Sequence, residues 1–77
     1  KQMKKLDSLE IMPTRIRIAS ILRKAILSGE FKEGEELSLT DIANNLGVSR
    51  TPVREAFQIL SSENLILLRM NKGAIVK

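Results

Sequence analysis

The sequence predicts a mainly α fold that ends in a small antiparallel β-hairpin: three helices and a two- to three-stranded sheet within one domain. Three observations predict it. Apolar residues recur at helical spacing in three separate stretches between Ile18 and Leu60. Gly29, Gly47 and Asn64 follow those stretches, where a helix C-terminus needs a left-handed residue. Two β-like runs, LILLRM and AIVK, then flank the turn NKG. At 77 residues the chain has room for a single small core.

Residues 1–12, KQMKKLDSLEIM, read as a basic arm, and residues 13–77 as the folded domain. Pro13 followed by Thr14 marks the first helix start, because proline is tolerated in a first turn and disfavours helix before it. Ile18, Ile21, Leu22, Ala25 and Ile26 form its predicted buried stripe, and Gly29 closes it. Gly34 supplies a turn, and Glu36 to Ser38 a very short strand. Ser38 with Asp41 three residues on resembles a capping box, opening a second helix whose apolar side is Leu39, Ile42, Ala43 and Leu46. Gly47 ends that helix and Val48 turns inward. Ser49 is expected to cap a third helix through its hydroxyl, with Pro52 in the first turn and Val53, Ala56, Phe57 and Leu60 buried. In the hairpin, Ile66, Leu68, Ile75 and Val76 are expected in the sheet core, with Lys72 at the tip and Gly73 giving the positive φ of a tight turn.

Composition removes several classes of function. The chain has no cysteine and no histidine, so thiolate metal sites, disulfides and most nucleophile–base arrangements cannot be built. An enzyme is therefore not expected, nor a metal or catalytic residue. No apolar run approaches the roughly 18 residues of a membrane span. The net charge of +4 is unevenly spread. Residues 1–27 carry seven Lys/Arg against two acids and residues 48–77 five against two, whereas residues 28–47 hold Lys32 against Glu30, Glu33, Glu35, Glu36 and Asp41. Such polarity suits a polyanion on one side, although a solvated surface with ordinary charge scatter gives the same totals.

The second and third helices, joined by a glycine-containing turn, make a helix-turn-helix whose second member can enter a DNA major groove. On a helical wheel Thr51, Arg54, Glu55 and Gln58 lie opposite the apolar residues, with Arg50 at the N-terminal edge. Arginine can pair bidentately with guanine O6 and N7, while the hydroxyls of Ser49 and Thr51 suit a phosphate. Glu55 is expected to face inward or to pair with a cation, since a carboxylate beside phosphate is unfavourable. By spacing alone, Arg50 and Arg54 also fit two solvated surface arginines. Lys72 at a basic tip, with Arg69 on the approaching strand, would add a contact to phosphate or minor groove.

The run Leu46 to Phe57, LGVSRTPVREAF, closely resembles the signature of the GntR family of bacterial transcription regulators. The resemblance runs on through LRKAILSGEFKEGEELS, DIANNLGVSRTPVREAFQILSSENLI and NKGAIV, in the family's order and spacing, and looks most like the FadR-type branch. It implies a winged helix-turn-helix that binds a palindromic double-stranded operator as a homodimer, in the cytoplasm, with repression the expected outcome. Carried onto this sequence, base and backbone contacts fall to Arg50 and Arg54, hydroxyl contacts to Ser49 and Thr51, and wing-tip contacts to Lys72 and Gly73. Gln58 is added by the wheel. Three departures stand out: Glu33 where proline is usual, Asn64 for a common glycine, and no basic residue among Leu39, Thr40 and Asp41. Family members continue into a C-terminal domain that binds an effector and usually dimerises. This chain, which opens at Lys1 and stops past the hairpin, is accordingly expected to be a DNA-binding fragment with no cofactor of its own. A winged helix that binds protein or RNA instead would share the architecture.

Overall fold

The structure, a computed structural model, describes residues 12–70 and 73–77. The predicted arm over residues 1–12, apart from Met12, and the predicted tip residue Lys72 lie outside them. Three helices and three strands follow in order: α1 (Thr14–Leu27), β1 (Glu36–Leu37), α2 (Leu39–Leu46), α3 (Arg50–Ser62), β2 (Ile66–Arg69) and β3 (Gly73–Val76). The mainly α winged architecture read from the sequence is thus the observed one.

Each boundary has a local cause. Pro13 precedes α1, and its carbonyl accepts from the N–H groups of Ile16 and Arg17. The Ser38 hydroxyl accepts from the Asp41 N–H at 3.2 Å, satisfying one of the orphan donors at the start of α2. Gly47 ends α2 in the left-handed region (φ 72°), and the next N–H, of Val48, returns to the Ala43 carbonyl. That reversal aims α3 away from α2 with only three residues, Gly47 to Ser49, between them. Asn64 ends the α3 segment with φ 64°.

Ser49 departs from expectation. It sits at the N-cap of α3 with extended backbone, but its hydroxyl accepts no cap hydrogen bond. At the start of α2 the donor is the third helical residue. The equivalent place in α3 is Pro52, which has no N–H to give. The proline in the first turn therefore removes one of the two donors that a Ser49 cap could use.

The core lies between α1, α3 and the inner face of the sheet. Ile18, Ala19 and Leu22 of α1 pack towards Val53, Ala56, Phe57 and Leu60 of α3, with Leu37, Ile66, Ala74 and Val76 beneath. Ile21, read from the sequence as part of the buried stripe, is 52% exposed. The reason is that α3 alone covers α1 extensively, so burial is centred on Ile18, Ala19 and Leu22 and leaves Ile21 outside.

The sheet is antiparallel with order β1–β3–β2. Register pairs Ile66 with Val76 and Leu68 with Ala74 on the inner face, and Leu67 with Ile75 and Arg69 with Gly73 on the outer. Ile75 therefore belongs outside the core, half-buried and opposite Glu36 and Leu67. Leu68 faces inward but stays 43% exposed because it lies past the end of the core, towards the wing.

One ion pair braces this frame. Arg23 of α1 donates through Nε and Nη2 to the two carboxylate oxygens of Glu63, just beyond α3, both at 2.8 Å. That two-pronged hydrogen bond holds the Glu63 carboxyl below its ordinary range and Arg23 above its own. A lowered acid contributes stability above the unfolded pKa and loses it as pH falls through the folded value. Glu63→Gln should therefore melt below the parent near neutral pH, with the gap closing as pH falls below the ordinary carboxylate range. A gap of constant size in thermal melts across that range would contradict this.

Candidate nucleic-acid interface

Arg50, Arg54 and Gln58 follow one another at four-residue spacing along α3, and all three are exposed. The opposite side of the helix is pinned by Val53, Ala56, Phe57 and Leu60, each at most 1% exposed. The helix therefore has no freedom to roll, and the three polar side chains are presented in a fixed row.

That row forms one wall of a cleft of about 620 Å³. The second wall is the start of α2, with Ser38 and Thr40, and the third is the wing, with Arg69 and Met70 at the end of β2. Three arginines, at 50, 54 and 69, line this cleft and no carboxylate does among the described residues. Electrostatically it suits a phosphate-bearing ligand, and the guanidinium forks and the Gln58 amide can also pair with base edges. Ser49 and Thr51 are exposed at the mouth of α3 but do not line the cleft. With the orphan N–H groups of a helix start, they form a separate anion-suited corner.

Four of the seven residues singled out by sequence, Arg50, Arg54, Gln58 and Gly73, thus come together in the cleft, while Lys72 lies outside the described residues. Gly73 needs correction. It is the first residue of β3 and is buried, part of the cleft floor rather than the wing tip. Its φ of 112° and its closeness to the Leu37 carbonyl leave no space for a side chain. Glu55 also differs: it is exposed, beside Arg15 in a shallow depression, and makes no ion pair among the described residues. It does not line the cleft, although it shares its depression with Gln58, which does.

Sequence reasoning missed Thr40 and undervalued Arg69. Thr40 was passed over because the start of α2 carries no cation, but a hydroxyl one residue into a helix beside the α3 arginines was a usable signal. Arg69 is readable as a cation on the strand approaching the wing tip, but its place beside the α3 row depends on the register of β2 with β3.

The profile described as bacterial regulatory proteins, gntR family, matches residues 14–76. The chain belongs to the gntR family. It is the winged helix-turn-helix DNA-binding domain of a regulator of that family, the one expected from the run at Leu46 to Phe57. A curated relative, the gluconate operon transcriptional repressor of Bacillus subtilis (strain 168), is 48% identical over 63 residues, covering 82% of this chain and 26% of the relative. Among solved structures, a GntR-family transcriptional regulator from Pseudomonas syringae pv. tomato str. DC3000 superposes with a TM-score of 0.73 and 40% identity. That match covers 82% of this chain and 27% of the other. S. agalactiae BusR, solved with its busAB-promoter DNA, gives 0.77 and 30% identity over 86% of this chain and 33% of that one. This chain thus spans about a quarter to a third of the relatives it matches. Those relatives are named as transcriptional regulators rather than enzymes. No helix of the described residues is long and apolar enough to cross a membrane.

Proposed function

We propose that this domain reads a palindromic operator by laying α3 in the major groove, with Arg50, Arg54 and Gln58 towards base edges. Ser49 and Thr51 with the start of α3 hold a backbone phosphate, and the wing and Lys72 meet the flanking backbone or minor groove. The row of three polar side chains, open to solvent and facing an acid-free cleft, supports this reading best. A relative solved with promoter DNA and another named as a repressor support DNA as the partner and repression as the outcome.

The full-length regulator is proposed to act as a homodimer in the cytoplasm, where its DNA target lies. The wording of the matching segments supports the FadR-type branch. Residues 1–12 serve as a basic arm ahead of the domain at 13–77. An effector, with any cofactor it requires, binds a C-terminal domain not included in this chain.

Selection from a random duplex library tests the reading. The full-length protein is expected to return a two-fold symmetric consensus, and this chain a single half-site with weaker binding. Retention of no sequence above background, or of single-stranded RNA in preference to duplex, would reject it.

A further inference from the structure

The two ion pairs among the described residues are built differently. Arg23 and Glu63 share two hydrogen bonds and are each about one-third exposed, at 33% and 39%, which suits a permanent brace. Arg69 gives Glu36 a single bond, from Nη1 at 3.0 Å, and the Glu36 side chain is 74% exposed. A one-pronged pair in water is weak and exchanges readily.

Its position gives that weakness a use. Glu36 is on β1 and Arg69 on β2, the two strands flanking β3, so the guanidinium reaches beyond β3 to find its carboxylate. Arg69 is paired with Gly73, which offers no side chain on that face to stop it. Arg69 lines the cleft that Arg50 and Arg54 also line, whereas Glu36 does not. A duplex entering the cleft therefore meets the guanidinium before the acid. Apart from the bond to Glu36, the Arg69 side chain donates no hydrogen bond among the described residues, leaving its other N–H groups for a second acceptor.

We propose that Arg69 is a phosphate ligand of the wing and that Glu36 is its competitor. The guanidinium passes from the carboxylate to a DNA phosphate on binding, and the carboxylate so limits how tightly DNA of any sequence is held. This rests on the DNA-binding reading above and adds a restraint within it. The physical consequence is specific. An arginine that neutralises a phosphate releases a condensed counterion, worth about 0.9 in the slope of log affinity against log salt. When that arginine leaves a carboxylate behind, the net charge brought to the phosphates falls by one, and part of the gain is lost to repulsion between carboxylate and phosphate.

The test is fluorescence anisotropy of this chain with a random-sequence duplex over a range of salt. Glu36→Gln is expected to tighten binding between about two- and fivefold near 0.1 M salt, the range an exposed pair allows. It should also steepen the slope, by less than the roughly 0.9 of a full phosphate contact. Adding Arg69→Ala should remove both gains. A merely structural role for the pair would alter the melting temperature but not the slope. An unchanged slope in Glu36→Gln, or a gain that survives in the double variant, would overturn the proposal while leaving DNA binding intact. Failure of the unsubstituted chain to bind any duplex would overturn the DNA-binding reading and this proposal with it.

Discussion

Replacing Arg50 and Arg54 together by alanine is expected to weaken binding to the selected half-site by more than about 30-fold. Each base-reading arginine contributes about 1–3 kcal/mol of discrimination, so two supply at least about 2 kcal/mol. The loss should be larger on the selected duplex than on a scrambled one, because base contacts disappear along with charge. Stability should hold or rise slightly: both side chains are exposed, make no ion pair among the described residues, and alanine is the best helix former. Titrations of both duplexes, with a melt of the variant, check each part. Equal losses on the two duplexes would mean that these arginines hold phosphates only. Unchanged binding on both would remove α3 from the interface.

Gly73→Ala is expected to be the most destabilising single methyl this chain can receive at a glycine. Alanine at φ 112° carries backbone strain, of about 1–3 kcal/mol. The new Cβ would also run into the Leu37 carbonyl oxygen, with Leu37 C and Leu39 N each 3.2 Å away. These are backbone atoms, one of them opening α2, so relief requires β1 to separate from β3. The combined effect is about 3 kcal/mol or more, against a total of roughly 4–11 kcal/mol for a chain this long. In a melt this corresponds to a fall of at least about 12 °C. Gly34→Ala is the internal control. That glycine also has positive φ, at 86°, but nothing lies within 4 Å of its added methyl, so only the strain remains. Similar melting temperatures for the two variants would show that the Leu37 contact does not limit the site. A large gap would identify the tight crossing of β1 over β3 as the element that shapes the cleft floor.

Legibility from sequence followed the range of the interactions involved. Ser38 with Asp41, Gly47 and Asn64 were readable because a cap or a left-handed stop involves atoms a few residues apart. The buried side of α3 was readable because Val53, Ala56, Phe57 and Leu60 recur at helical period. The missing Ser49 cap was equally local: Pro52 stands where one of its two donors was needed, and the sequence displayed it. The errors over Ile21 and Ile75 were of another kind. Ile21 has the right periodicity, but whether a helix edge is covered depends on the partner helix 30 residues and more away. Ile75 sits in an apolar run too short for alternation to say which residues face inward.

The order of elements, their ends, and the arginine-bearing outer face of α3 were determined by the sequence alone, since turn chemistry and helical period act within a few residues. Tertiary structure decided what the rest of the cleft is made of: that Thr40 and Arg69 join the α3 row, that Gly73 lies beneath them, and that Glu36 meets Arg69. Those neighbours are brought together by strand register and by helix packing across 30 residues or more. No local pattern carries that information, because which residue of one strand meets which residue of another is settled only when both have docked on the same core.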